Sequence, residues 1–357
     1  MGKLKDALPA FNRREEITVG YKCNLKCRFC FYGCSPKDNL RSYDDIKKDI
    51  LLAKTYAIEH LELSGGEPML HPQIASIVEF CRRQGFRTIC MITNGTLLVD
   101  MERMKTLGSK GLNQLVFSLH GPDSQTHDYL TQTETFDKIL KAIENAKRLK
   151  IPFRINIVVN KFNFRELTKF SQLVLSLGPI MVNFLIYSPL EIAKEFVSDM
   201  SVRYSKMSAE ISRAVDIIKQ RLEVRIRYIP FCLIKGYEKY ICNIHQVHYD
   251  LYEWDYILRE HIHNGRFYKW VKILVGLFYL PLGRLLSQSI DRSFHEAIIK
   301  TMCLVNSYKP LGCRICKYYF ICDGLWRDYV SLFGSSEVKP VIGKRITNPA
   351  EFAVDWH

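Results

Sequence analysis

Between residues 15 and 187 the chain alternates short apolar runs, rich in β-branched and aromatic side chains, with longer stretches whose apolar positions recur every three or four residues. The short runs Ile17–Val19, Leu61–Leu63, Phe86–Ile92, Leu115–Leu119, Phe153–Val159 and Met181–Ile186 predict β-strands. The longer stretches Tyr43–Tyr56, Pro72–Gln84, Phe136–Leu149 and Phe164–Leu177 predict helices. In the last of them Phe164, Leu167, Phe170, Val174 and Leu177 mark a buried stripe. Six strand-then-helix units in a row predict an α/β fold, a parallel sheet with outer helices that closes or nearly closes as a barrel. In that architecture chemistry falls at the carboxyl ends of the strands, on the loops that enter the helices. Ser205 and Ser208 open a further helix to about Gln220, followed by a strand-like Val224–Ile229, and beyond Cys232 the alternation stops. The expected division is a barrel over residues 1–200 and a smaller cysteine-rich α+β region over 201–357, with an aromatic and apolar insertion at about 243–300.

Composition changes this picture mainly through cysteine. A chain of 357 residues with 47% hydrophobic content buries a full-sized core. Residues 1–22 carry charges throughout and contain no apolar stretch like that of a signal peptide, so a cytoplasmic location is expected. A reducing compartment does not retain a disulfide framework, and clustered cysteines there point to metal or catalysis. The twelve cysteines cluster at both ends, with Cys23, Cys27, Cys30 and Cys34 early and Cys303, Cys313, Cys316 and Cys322 late. The excess of 51 Lys and Arg over 37 Asp and Glu is scattered, without a block of five or six like charges, so a nucleic-acid partner is not expected.

Directly after the first predicted strand stands Cys23-Asn24-Leu25-Lys26-Cys27-Arg28-Phe29-Cys30. Three thiolates within one loop wrap a single metal centre, and soft sulfur ligands select zinc, copper(I) or an iron–sulfur cluster. Zinc needs four closed positions, for which Cys34 is the available fourth ligand. A 4Fe–4S cubane held by three cysteines instead leaves one iron open to an exogenous ligand. After the next strand comes Ser64-Gly65-Gly66-Glu67-Pro68, where two glycines permit close backbone approach to a ligand and leave N–H and C=O groups to grip a zwitterion. Both motifs end adjacent strands and face the same mouth of the barrel.

With both motifs in view, residues 15–190 resemble the radical S-adenosylmethionine (SAM) superfamily, whose hallmark is a Cys-x3-Cys-x2-Cys loop followed by a Gly-Gly-Glu-Pro turn. The resemblance implies a partial (β/α)6 TIM-type barrel with a 4Fe–4S cluster on Cys23, Cys27 and Cys30 and SAM bound to the open iron. It also implies Phe29 against the adenine, Gly65, Gly66 and Glu67 at the methionyl amino group, and Asn94 in a ribose-side turn. Ser118 then contacts the SAM carboxylate, and Asn160 is a further candidate. Where relatives carry an Arg after a His-Asp pair, His127-Asp128 is followed here by Tyr129-Leu130-Thr131. The implied chemistry is reductive cleavage of SAM to methionine and a 5′-deoxyadenosyl radical that abstracts hydrogen. The cofactor carries the hard step, and no side-chain acid or base is expected.

Cys313-x2-Cys316-x5-Cys322, amid Arg314, Lys317, Tyr318, Tyr319 and Phe320, resembles the auxiliary-cluster regions called SPASM or twitch domains. A second 4Fe–4S cluster needs a fourth sulfur, for which Cys232 is preferred and Cys303 is the alternative, while four cysteines also suit a zinc knuckle. Within 243–300, the apolar run Ile273–Leu282 of Phe267–Leu286 is too short to span a bilayer, contains Pro281 and is flanked by Lys269, Lys272 and Arg284, which leaves three expectations, a core helix, an oligomer contact or peripheral membrane contact. The expected substrate is a peptide, natural product or other organic molecule, served by a reducing donor such as a flavodoxin or ferredoxin. With only 22 residues before the cysteine loop, no leader-binding domain of peptide maturases is expected. A lipid-linked substrate is the alternative. A non-catalytic iron–sulfur electron carrier is the alternative of another class, but it has no use for the Gly65–Pro68 turn.

Overall fold

The six predicted strands form, and a seventh joins them. The structure is a computed structural model and describes residues 14–30, 32, 39–55, 58–187, 197–242 and 307–347. Strands β1 (Arg14–Thr18), β2 (His60–Ser64), β3 (Thr88–Thr93), β4 (Gln114–Ser118), β5 (Phe153–Val159), β6 (Met181–Ile186) and β7 (Glu223–Arg227) lie side by side in chain order, every neighbouring pair parallel. The sheet curls into a half-barrel rather than closing. β7 was expected beyond the division at residue 200, yet it pairs with β6 from Met181↔Glu223 to Leu185↔Arg227 as part of the same sheet.

Helices α1 (Tyr43–Thr55), α2 (Ile74–Arg83), α3 (Met101–Lys110), α4 (Ser124–Thr131), α5 (Phe136–Arg148) and α6 (Leu167–Leu177) occupy the crossovers, followed by a short α7 (Val197–Met200) and by α8 (Tyr204–Ile218). Periodicity missed α3 and α4, whose starts are set by polar caps. Asp100 accepts the N–H of Glu102 and Asp123 that of Thr126. After residue 306 the chain adds β8 (Ser307–Tyr308) paired antiparallel with β9 (Leu325–Trp326), then α9 (Arg327–Phe333). This piece joins the main core, where Tyr329 stacks on Tyr204 at 4.1 Å between ring centroids. The 243–300 insertion, with Phe267–Leu286, and Cys34 and Cys303 lie outside the described residues.

The two faces of the sheet differ in chemistry because side chains alternate along a strand. Leu61, Leu63, Leu115, Phe117, Ile155 and Phe184 point outward into the helix-covered core and are fully buried. Their neighbours on the inner face include the charged or amide side chains of Glu62, Arg154, Asn156, Asn183, Arg225 and Arg227, beside the apolar Val116, Val158 and Leu185. At the base of the curl one carboxylate serves two guanidiniums, since Arg14 and Arg154 both donate to Glu62 Oε1, and Arg154 also reaches Cys90 Sγ at 3.4 Å. Burial by itself raises the Glu62 carboxyl, but the charges of Arg154 and Arg14 overturn that effect and hold it at about 2.

Because that folded value lies below the unfolded carboxylate value, the stabilisation is present above about pH 4.3 and is lost as pH falls toward 2. Glu62→Gln strands two buried guanidiniums and is expected to cost about 3–5 kcal/mol in urea denaturation at pH 7, with a shallower acid slope than wild type. A variant within 0.5 kcal/mol of wild type, taking that as about the measurement error, contradicts this account.

Candidate functional site

The segment after β1 is held down by backbone on three sides. Gly66 N–H donates to the Gly20 carbonyl at 2.9 Å and Glu67 N–H to the Lys22 carbonyl at 2.8 Å. On the opposite side the N–H groups of Lys26 and Arg28 donate to the carbonyls of Thr131 and Leu130 at the end of α4. Between them Asn24 donates to Thr96 Oγ1 at 2.8 Å and accepts from Asn94 Nδ2 at 2.9 Å. So anchored, Cys23, Cys27 and Cys30 stay half-exposed and line a cavity of about 350 Å³ inside the curl of the sheet. Leu25 N–H donates to Cys23 Sγ at 3.4 Å, a contact that favours thiolate character.

Gly65 and Gly66 line the same cavity, and contact with the preceding loop also requires glycine at both positions. Gly65 sits at φ +128°, and a Cβ there meets the Gly20 carbonyl oxygen. At Gly66 a Cβ meets the Lys22 carbonyl. The turn therefore lies directly on the cysteine segment. Glu67 lies beneath, 2% exposed and off the cavity wall. Its Oε1 accepts from Met69 N–H and Thr93 Oγ1, and its Oε2 accepts from Asn94 N–H at 2.8 Å, tying the turn to the end of β3. Burial pushes its carboxyl up to about 7 against those three donors.

Of the remaining expected residues, Phe29, Asn94 and Ser118 line the cavity. Asn94 spends its amide on Asn24 and Thr96, which makes it a fastener of the cysteine loop. Asn160 is not brought there. Fully buried, it folds onto its own turn, donating to the Val158 carbonyl and accepting from Phe162 N–H. His127 and Asp128 also turn away. His127 Nδ1 accepts from His120 N–H, and Asp128 Oδ1 accepts from Thr135 and Phe136 N–H at the start of α5.

Sequence reasoning missed the inner wall of the cavity. Arg14, Glu16, Arg154, Asn156, Arg225 and Arg227 line it. The signal was available as polar residues at alternate positions of otherwise apolar strands, as in Phe153-Arg154-Ile155-Asn156-Ile157 and Glu223-Val224-Arg225-Ile226-Arg227. A parallel sheet covered on both faces reads as continuous apolar sequence, so such alternation marks a strand with one wet face.

The family model described as the radical SAM superfamily matches residues 17–174, which hold both the cysteine loop and the Gly65–Gly66 turn. Residues 17–174 are a radical SAM domain, and that domain marks the chain as an enzyme. Members use a 4Fe–4S cluster and SAM. A probable GTP 3′,8-cyclase of Saccharolobus islandicus is 33% identical over 183 residues, covering 50% of this chain and 58% of the relative. A GTP 3′,8-cyclase of Thermodesulfovibrio yellowstonii is 29% identical over 238 residues, covering 63% and 69%. The chain thus spans little more than half the length of the Saccharolobus relative. Among solved structures, Streptococcus suis SuiB bound to S-adenosylmethionine superposes with a TM-score of 0.53 at 20% identity, covering 62% of this chain and 52% of SuiB. HydG of Carboxydothermus hydrogenoformans, a FeFe-hydrogenase maturase, gives 0.51 at 14% identity, covering 64% and 58%. At such identities these two show the shared fold alone.

Beside the radical SAM domain, Cys232, Cys313, Cys316 and Cys322 line one small pocket. Cys232 arrives on the turn after β7, and Phe231 stacks on Tyr318 at 4.8 Å, joining the turn to the later cysteines. Backbone N–H groups meet three of the sulfurs, from Lys339 to Cys232, from Val341 to Cys316 at 3.4 Å and from Gly324 to Cys322 at 3.4 Å. As free thiols, Cys232 and Cys322 are pushed by burial up to about 11 and about 12. Among the described residues no three ligating side chains are arranged around a single metal ion. A cubane takes each thiolate on a different iron, so its ligands need only surround it.

Gly66→Ala is expected to force the turn off the Lys22 carbonyl. Iron incorporated on anaerobic reconstitution should fall by about half or more. Wild-type iron content in that variant contradicts this role of Gly66.

Proposed function

We propose that this chain cleaves SAM reductively and directs the resulting radical at an anionic organic substrate held inside the curl of the sheet. The observation that carries this is one cavity shared by Cys23, Cys27, Cys30, the Gly65–Gly66 turn and a wall of arginines. When bound, the cluster and SAM supply the 5′-deoxyadenosyl radical. The three cysteines suit the cluster because they are half-exposed, clustered in one anchored loop and already meet an N–H donor at Cys23. Phe29, the Gly65–Gly66 backbone and Ser118 hold SAM across the mouth, and the surrounding strands exclude water.

The substrate's charge follows from the wall. Among the described residues lining the cavity, Arg14, Arg154, Arg225 and Arg227 face Glu16 and Glu62, four guanidiniums against two carboxylates. Planar guanidinium forks suit phosphate and carboxylate. Relatives named for action on GTP, itself a polyanion, support the same chemistry. SuiB bound to its precursor peptide SuiA is similar at 20% identity, a likeness that speaks for the fold and not for a peptide substrate. Cys232, Cys313, Cys316 and Cys322 are proposed to hold an auxiliary 4Fe–4S cluster, with the shared pocket favouring Cys232 over Cys303. A reducing protein supplies the electron. Among the described residues no helix is long and apolar enough to cross a membrane.

Anaerobically reconstituted protein should bind about eight irons and form 5′-deoxyadenosine on reduction, whereas Cys27→Ala should form none. Cleavage by that variant at the wild-type rate refutes the assignment. Small anions such as nucleoside triphosphates should accelerate SAM cleavage more than neutral nucleosides, and Arg227→Met should remove the difference. Equal acceleration by neutral nucleosides would count against an anionic substrate.

A further inference from the structure

Two hydrogen-bond donors on the wall beside Phe29 have no acceptor of their own. Tyr187, the residue after β6, is 7% exposed and lines the cavity. Its hydroxyl is buried and makes no hydrogen bond among the described residues. Its apolar neighbours are Leu130 and Met200, with Phe29 and Val158 packed against them, and the Asp328 carboxylate acts on the phenol through its charge without accepting a hydrogen bond from it. A buried polar group without a partner is uncommon in a folded protein and asks for an explanation. Burial pushes the phenol up to about 12, so at neutral pH it keeps its proton and donates.

His120, two residues past β4, also packs on Phe29, the ring centroids 4.3 Å apart and edge to face. Its backbone is fixed by His120 N–H donating to His127 Nδ1 at 3.1 Å and by Asn163 Nδ2 donating to the His120 carbonyl at 2.9 Å. Val158 N–H donates to His120 Nδ1 at 3.2 Å. A ring nitrogen that accepts from a backbone amide carries no proton, which assigns the proton of the neutral ring to Nε2. Nε2 makes no hydrogen bond among the described residues, and the side chain lines the cavity.

We infer that Tyr187 Oη and His120 Nε2 donate hydrogen bonds to the adenosyl group of SAM seated against Phe29. The inference rests on the SAM-cleaving function proposed above and adds the side chains that orient the adenosyl group. An adenosine presents ring nitrogens and ribose oxygens as acceptors, and a flat base takes the face or edge of Phe29. Neither donor makes a hydrogen bond among the described residues. Both are tethered by backbone contacts, since Tyr187 N–H donates to the Val159 carbonyl at 2.8 Å and His120 is held as described. Two donors just past strand ends, both beside one aromatic ring, position a nucleoside without moving when it arrives.

The test is equilibrium dialysis of SAM with anaerobically reconstituted protein, with variants compared at equal iron content. Tyr187→Phe keeps the ring and removes the donor, and should bind SAM about tenfold more weakly. The same variant without cluster or SAM should melt at or above the wild-type temperature, because it loses only an unpartnered hydroxyl. At His120 two substitutions separate the roles. His120→Asn retains an acceptor for Val158 N–H but loses the Nε2 donor, and should weaken SAM binding about tenfold. His120→Gln retains a donor near Nε2, and should bind SAM within about threefold of wild type. The inference is overturned if Tyr187→Phe and His120→Asn both bind SAM within about twofold of wild type. Wild type that carries full iron yet binds no SAM overturns the proposed function, and this inference with it. Loss of affinity in the two variants alongside wild-type binding supports both.

Discussion

The site depends on one close backbone contact, where the turn after β2 lies directly on the segment after β1. Two amide hydrogen bonds, Gly66 to Gly20 and Glu67 to Lys22, set the spacing. No side chain fits between the two segments, since a Cβ at either Gly65 or Gly66 meets a carbonyl oxygen of the other strand's loop. Everything else in the mouth follows from that contact. The cysteines are carried on the segment it pins, Glu67 extends the attachment to Asn94 and Thr93 at the end of β3, and Asn94 returns it to the cysteine loop through Asn24. The result is a closed circuit of hydrogen bonds over three adjacent strand ends. A loop tethered in this way keeps three half-exposed thiols in one place before any cluster is bound.

The same sheet separates apolar and polar chemistry by face. Its outer residues bury against helices, and its inner residues face a cavity rather than filling a core as in a fully closed barrel. A half-barrel tolerates arginines there because each is given a partner or a wet surface. Glu62 is shared by Arg14 and Arg154, and Arg225 is met by Glu223 at 2.6 Å. Even so, burial outweighs the neighbouring carboxylate at Arg225 and draws its guanidinium down to about 10. Four guanidiniums gathered on one cavity wall suit the binding of an anion.

The sequence by itself was sufficient for the strand–helix alternation, the cysteine loop and the Gly-Gly-Glu-Pro turn. Each is a local pattern whose physical cause lies within a few residues. Strand periodicity, thiol spacing and the absence of Cβ atoms act at short range, and the resemblance to radical SAM enzymes rested on them. The cysteine pairing of the later region was half legible. Cys313, Cys316 and Cys322 announce themselves by spacing, but Cys232 lies 81 residues before Cys313 in sequence and shares their pocket only because Phe231 stacks on Tyr318.

Tertiary structure alone decided the rest, because the deciding contacts join residues far apart in the chain. β7 belongs to the barrel through its register with β6, which no local pattern specifies. Glycine at 65 and 66 serves the approach of two loops, whereas the sequence permitted only the general statement that something must come close. Asn160 looked like a site residue from its place after β5, yet its amide closes its own turn. The polar inner face was written in the strands as alternate Arg, Asn and Glu. Its meaning as a single cationic wall required the curl that brings β1, β5 and β7 to face one cavity. Alternation says which residues share a face, and only the closure of the sheet says what that face surrounds.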